Sequence, residues 1–250
     1  MSYSLPMAII VFQHSDIGRP GRLGTTLRDH GFRIDVRRPD WGGAIPADLD
    51  DVEAVISLGG PQSAAESADR PDWMQAELDC LRAAHEAELP VIGVCLGAQL
   101  LAAALGGEVA RMDKPELGFH PIDINPSGHT DTALTGVSWS AQHFCHHHDH
   151  VARLPDGAMA LASSKKCPVQ IFRAGIRSYG FQQHFEADQA IIGDLLRNTK
   201  PDDLAAAGLS ESEQQVQMDA HYANFARLSN RLCVNLASFI IPAGRQVIRW

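Results

Sequence analysis

The chain has 250 residues, 45% of them hydrophobic, enough for one large α/β domain or one domain with an appendage. Its 30 acidic residues outnumber 21 basic ones for a net charge of -9, and no dense Lys/Arg run occurs, which argues against non-specific binding to nucleic acid or an anionic membrane. No segment approaches a membrane span, and Met1–Phe12 has no positive n-region and only a strand-length apolar run, so it does not read as a signal peptide. Cys80, Cys95, Cys145, Cys167 and Cys233 are scattered without Cys-x-x-Cys spacing, as expected of a reduced, cytoplasmic protein.

Short apolar runs alternate with amphipathic stretches through the first half. Ala8 to Phe12 reads as a strand, Arg22 to His30 as a helix stopped by Gly31, and Phe32 to Val36 as a second strand. Val52 to Leu58 is a third strand, ending at Gly59-Gly60-Pro61. Pro71 to Glu88 is a helix, Val91 to Val94 a buried strand, and Leu96 to Leu105 a helix closed by Gly106-Gly107. This rhythm predicts a mostly parallel sheet flanked by helices, with sites at the carboxyl ends of its strands, where Gly59-Gly60 and Cys95 both fall.

After Gly107 the pattern turns strand-like, with pieces at Glu108 to Met112, Phe119 to Ile124, Ala158 to Ser163, Val169 to Phe172 and Tyr179 to Gln183. Arg173-Ala-Gly175 reads as a hairpin turn between the last two, and Ala187 to Asn198 as a helix that stops before Pro201. Beyond residue 200, Ser210-Glu-Ser-Glu213 matches a capping box. Val216, Ala220, Phe225, Leu228, Leu232, Leu236 and Phe239 recur near helical spacing. They predict a C-terminal helical extension, residues 201–250, packed on the first 200 residues or on a second subunit.

Three motifs carry chemistry. Gly93-Val-Cys-Leu-Gly97 is a strand-to-helix elbow with Cys95 at its apex, where a helix N-terminus favours the reactive thiolate. Gln182-Gln-His-Phe-Glu186 delivers His184 from a strand, with Glu186 two residues on and on the same side of an extended backbone. The carboxylate can then take one imidazole N–H and leave the other nitrogen facing a thiol. Ser57-Leu-Gly-Gly-Pro61 is a turn able to present a bare backbone N–H to a developing oxyanion, with the N–H of Leu96 as a second donor.

In that order and separation, over roughly residues 50 to 190, the three motifs resemble the class I (triad-type) glutamine amidotransferases, and in particular the amidotransferase domain of GMP synthase. The resemblance implies a three-layer, flavodoxin-like fold. It implies Cys95 as nucleophile, His184 as general base and acid, and Glu186 as its orienter. Gly60 and Leu96 would form the oxyanion hole, with Gly59 and Gln99 binding the substrate in a glutamine pocket. Where the family carries Ser-His-Gly-Asp-x-Val, this chain reads His146-His-His-Asp-His-Val151: His147 and Asp149 keep the pattern while His146 and His148 depart from it. Asp149 is the expected partner of the substrate's α-ammonium, and His146 and His147 are expected to shape the pocket. Phe185 stands where the family usually has Pro, a change that removes no catalytic atom.

The implied reaction is hydrolysis of the γ-carboxamide of glutamine or of a γ-glutamyl compound through a thioester, with no cofactor. Three readings follow: a free-standing γ-glutamyl hydrolase, a glutaminase subunit feeding a separate synthetase chain, or a binding protein with a decayed triad. The intact Cys, His and Glu weigh against the third. No glycine-rich ATP-binding loop occurs. The run His146 to His150 approaches the His-x-His-x-Asp-His pattern of dinuclear zinc hydrolases, but Cys145 stands where the first histidine is needed, and neighbours on a strand point to opposite faces. No metal is therefore expected there. In serine α/β-hydrolases the acid precedes the histidine by a long stretch, unlike here.

Overall fold

The structure, a computed structural model, describes residues 7–65 and 70–241; Met1 to Pro6 and the last nine residues of the predicted extension lie outside them. The first half follows the alternating pattern. It runs β1 (Ala8–Phe12), α1 (Gly21–Asp29), β2 (Ile34–Arg37), β3 (Val52–Ser57), α2 (Asp72–Glu86), β4 (Val91–Val94) and α3 (Leu96–Ala104). The second half contains β5 (Glu108–Ile124), the single turn α4 (Pro126–His129), β6 (Ser140–Arg153), β7 (Met159–Ser163), β8 (Ile171–Ala174) and β9 (Ser178–Phe181). It closes with α5 (Gln189–Arg197), α6 (Pro201–Ala207), α7 (Glu211–Asn235) and a final π-helical turn over Leu236–Ile240.

Among the described residues the strands form one sheet in the order β2-β1-β3-β4-β9-β8-β7-β5-β6. The first five in that order run parallel, and β8, β7, β5 and β6 continue as antiparallel neighbours. Because successive strand side chains point to opposite faces, β1 sends Ile9 and Val11 into a core with Leu23 and Leu27 of α1 and Leu232 and Leu236 from the C-terminal helix. Ile10 and Phe12 face the other way, against α2 and α3. The result is the three-layer, flavodoxin-like arrangement expected from the sequence.

Several elements differ from the sequence reading. The two strand pieces at 108–112 and 119–124 are one long strand, β5, whose pairing with β6 shifts between Arg111 and Glu116, around Pro115. That is where a residue lacking a backbone donor is tolerated in a ladder. The hairpin between β8 and β9 turns through Gly175 to Arg177, just past the predicted place, with Gly175 at φ +60°. Strand β6 has no counterpart among the predicted strands. Its inward positions include His147, Asp149 and Val151, so two of three carry polar groups and the apolar alternation that marks a strand is absent. Helix α6 starts with Pro201 at its first position, where a missing N–H costs nothing.

The capping box of α7 is present: Ser210 Oγ accepts from the Glu213 N–H, and the Glu213 carboxylate accepts from the Ser210 N–H. Within the predicted stripe Phe225, Leu228, Leu232 and Leu236 are buried on the body of the protein, whereas Val216 and Phe239 are exposed. The docking is also polar. Arg22 of α1 reaches Tyr222 and Asn230, and the wholly buried Asn235 donates to the carbonyls of Ala133 (3.0 Å) and Thr135 (2.8 Å). Replacing Asn235 by Ala orphans both carbonyls, and the expected loss is about 2 kcal/mol of unfolding free energy in urea titration. An unchanged midpoint would show that this anchor contributes nothing.

Candidate active site

The elbow forms because β4 ends against α3 with no room for a loop. Cys95 takes φ +52° and ψ -109°, a conformation that a residue with a Cβ rarely adopts. Its N–H is held by the carbonyl of Phe181 (2.8 Å) on the neighbouring strand, and the Gly97 N–H by that of Leu58 (3.2 Å). Both flanking glycines are required by close approach. A Cβ on Gly93 would lie 2.5 Å from the Gly97 carbonyl oxygen, and one on Gly97 would lie 1.9 Å from that of Ser57.

His184 reaches the thiol because β9 is the parallel neighbour of β4, with Phe181 paired to Val94 at their shared end. Three residues later the chain is tied to β6 by the His184 N–H on the Phe144 carbonyl (2.9 Å). His184 Nδ1 lies 2.7 Å from Glu186 Oε1, and both side chains are buried. Nε2 is buried and makes no well-aligned hydrogen bond. Gly59 is the bare spot over which ring and thiol meet: a Cβ there would lie 2.8 Å from His184 Cε1 and 3.5 Å from Cys95 Cβ. Burial disfavours charge on His184, yet the Glu186 carboxylate and the Cys95 thiolate overcome it and hold its pKa well above the ordinary 6.5.

Beside Cys95 lies a cavity of about 350 Å³, bordered by Gly60, Leu96 and Gln99 and by His146 to Asp149 of β6. The segment from Asn198 to Asp203 walls its far side. A larger hollow of about 990 Å³ sits at the opposite end of the sheet around Pro90 and Gly175 to Ser178 and contains none of the motif residues.

The predicted pocket residues are brought together, though they do different things. Gln99 is buried, its amide donating to the Asp149 carbonyl (2.9 Å) and to Gln182 Oε1 (3.2 Å), so it braces the β6 wall. His146 lies beside the His184 ring, 6.5 Å between centroids, with Nε2 2.6 Å from Thr199 Oγ1. Burial depresses its pKa to about 3, so this imidazole is neutral at working pH. His147 turns away into the interior, Nε2 3.0 Å from Glu116 Oε2 and Nδ1 3.1 Å from the Asp149 carbonyl. Asp149 is already engaged, by the Ser63 hydroxyl and by Arg111 at 3.3 Å. His148 lies 3.2 Å from Asp203.

Sequence reasoning passed over Glu116, Arg111, Thr199, Ser63, His14 and Glu77. The β5–β6 register sets Arg111 opposite Asp149 and Glu116 opposite His147, pairings that follow only once β6 is recognised as a strand. Glu77 did leave a signal: it falls on the buried stripe of α2 with Met74, Leu78 and Leu81. Ligand atoms of Glu116, His147 and Cys167 lie within 4.8 Å of one another, a spacing that could hold an ion. The carboxylate, however, already accepts from His147, Ser164 and Gln170, and the Cys167 thiol donates to the Val169 carbonyl, so the group is a closed hydrogen-bond network.

A cysteine at an elbow, a histidine–glutamate pair beside it and a Gly-Gly turn at the next strand end thus meet at the carboxyl end of a doubly wound sheet. The family described as Glutamine amidotransferase class-I matches residues 22–198, and the chain belongs to that family. It is similar to the glutamine amidotransferase-like protein YfeJ of Salmonella typhimurium, 30% identical over 88% of this chain and 91% of that protein. It is also similar to one of the subunits of the glutamine-hydrolyzing GMP synthase of Sulfolobus acidocaldarius, 34% identical over 56% of this chain and 70% of that one. Among solved structures, a glutamine amidotransferase from Methylobacillus flagellatus superposes with a TM-score of 0.80 at 27% identity, over 93% of this chain and 94% of that one. One from Thermotoga maritima shares the fold, with a TM-score of 0.78 at 22% identity over 93% and 97%. Among the described residues no helix is long and apolar enough to cross a membrane.

The His184–Glu186 contact sets a pH signature. Because the folded-state pKa is raised, the pair's contribution to stability is complete below the unfolded value of 6.5 and is lost as pH rises through the folded value. Glu186→Gln is expected to bring the His184 midpoint down, read from the imidazole proton shifts in an NMR titration. An unmoved midpoint would mean that the carboxylate does not hold the charge.

Proposed function

We propose that this chain hydrolyses the γ-amide of glutamine or of a γ-glutamyl compound, with Cys95 as nucleophile, His184 as acid and base, and Glu186 as the orienter of His184. The observation that carries the reading is the buried 2.7 Å His184–Glu186 pair at the strand end next to the strained Cys95 elbow. The Cys95 thiolate adds to the γ-carbonyl carbon, and the π pair moves onto the oxygen, which accepts from the N–H groups of Gly60 and Leu96. Collapse breaks the C–N bond, and the departing nitrogen takes the proton from His184. The neutral imidazole then draws a proton from water as the oxygen attacks the thioester. A second collapse returns the thiolate and releases glutamate, so one water is consumed for each ammonia or amine freed.

In this reading residues 1–200 carry the catalytic unit and 201–250 the extension, and the five free, buried cysteines suit a reducing cytoplasm. No cofactor takes part. The free-standing hydrolase is supported by mutual coverage with YfeJ, 88% of this chain and 91% of that protein, which leaves little of either for a fused synthetase. The similarity to a GMP synthase component favours the second reading, a subunit that supplies ammonia to a separate synthetase. Glutamate release by the purified chain from a panel of glutamine and γ-glutamyl amides separates the two. A free-standing enzyme turns over alone, whereas a subunit stays nearly silent until its partner is added.

Cys95→Ala is expected to abolish glutamate release, and Glu186→Ala to lower kcat by about 100- to 10,000-fold. Wild-type activity in Cys95→Ala would refute the assignment. Asp149→Asn is expected to raise KM for the γ-glutamyl substrate; an unchanged KM would remove Asp149 from substrate binding.

A further inference from the structure

The chain buries a second histidine–carboxylate pair, away from the triad and directly behind the Gly-Gly turn. His14 follows β1 and Glu77 lies on α2, and the side chains of both are fully buried. His14 Nε2 is 2.8 Å from Glu77 Oε2, and the other carboxylate oxygen accepts from Ser57 Oγ at 2.7 Å. His14 Nδ1 is 3.0 Å from the carbonyl oxygen of Leu58. A carbonyl only accepts, so Nδ1 carries a proton, and another proton lies between the ring and Glu77 whichever of them owns it. The indole of Trp73 stacks on the imidazole at 5.1 Å between centroids, and the His14 carbonyl accepts from Gln62 Nε2 at 3.3 Å.

These contacts converge on the strand end that delivers Gly59 and Gly60. Glu77 holds Ser57 by its hydroxyl, and His14 holds the Leu58 carbonyl. That same carbonyl takes the N–H of Gly97, two residues past the thiol. A Cβ on Gly60 would come within 2.6 Å of His14 Cβ, so the turn rests on the histidine itself. A desolvated His–Glu pair gives the fold no clear net stability over apolar side chains of similar size, so its placement calls for another reason. Neither residue borders the cavity beside Cys95, and any effect on chemistry must therefore pass through the backbone.

The geometry points to His14 and Glu77 as positioning residues for the oxyanion hole. By fixing the Leu58–Gly59 peptide against the elbow, they aim the Gly60 N–H at the oxygen of the reacting carbonyl. This inference rests on the hydrolase reading above, in which that N–H is a donor to the transition state.

The test compares His14→Gln, which cannot reach both partners, and Glu77→Gln, which keeps the shape but loses the carboxylate, with the whole wild-type chain. The readouts are kcat and KM for a γ-glutamyl anilide, affinity for an aldehyde analogue of glutamine whose adduct with Cys95 places an oxyanion in the hole, and alkylation of Cys95 by iodoacetamide. Losing a donor's aim is expected to lower kcat and weaken aldehyde binding in parallel, by about 10- to 100-fold. KM is expected to move by less than about threefold, and the alkylation rate, which builds no oxyanion, to stay the same. Folded variants with wild-type kcat and aldehyde affinity overturn the inference. So does a loss of alkylation equal to the loss of kcat, because that would place the damage at the thiol.

Should both variants fail to fold, Ser57→Ala removes only the hydroxyl that Glu77 holds, and the same parallel loss, smaller in size, is expected. If the wild-type chain releases no glutamate from any γ-glutamyl compound, the hydrolase reading fails on its own. Hydrogen exchange over residues 56–63 then decides the positioning claim: faster exchange in His14→Gln supports it, and equal exchange overturns it.

Discussion

Cys95 occupies a backbone conformation, φ +52° and ψ -109°, that costs on the order of 1–3 kcal/mol for a residue with a side chain. The cost is borne because the surroundings leave no alternative. Its N–H is tied to β9, the glycine two residues on is tied to the end of β3, and neither flanking glycine has space for a methyl group. The strain turns the thiol out of a packed strand–helix junction toward the carboxyl end of the sheet. The Gly59-Gly60 turn, the His184–Glu186 pair and the β6 wall all meet around that point.

Parallel neighbours bring the rest. In the sheet order β3-β4-β9, the middle strand ends in the thiol, one flank ends in the Gly59-Gly60 turn and the other runs on to His184 and Glu186. Residues far apart in sequence thus meet without a long loop. The antiparallel half has a different task. Strand β6 supplies the pocket wall: its His147 is held by Glu116, which Ser164 and Gln170 hold in turn, and its Asp149 by Ser63 and Arg111. A wall held by hydrogen bonds keeps a fixed shape where an apolar one could repack.

The parallel half of the fold was legible in the chain because its strands are apolar and its helices amphipathic, each bounded by Gly or Pro. The meeting of Cys95, His184 and Glu186 was legible for a related reason: elbow, Gly-Gly turn and His-x-Glu are short local patterns with fixed spacing. Strand β6 was not, because it buries His147 and Asp149 where a strand normally buries Val or Ile. Its partner β5 was split in two because Lys114-Pro115-Glu116 looks like a break. The pairings Arg111 with Asp149, Glu116 with His147 and His14 with Glu77 are tertiary facts, and a lone buried His or Glu announces its partner nowhere in the primary structure. The exposed Val216 and Phe239 on the C-terminal helix mark the limit of periodicity, which shows where an apolar stripe lies but not how much of it is covered.

The most direct test of Cys95 as the acyl carrier is rapid-quench mass spectrometry of the purified protein mixed with a γ-glutamyl substrate. The expected result is a transient mass gain of one glutamyl acyl group, mapped to the peptide that contains Cys95 and lost again as glutamate is released. Turnover with no such acyl group, or with the group on any other cysteine, would contradict it.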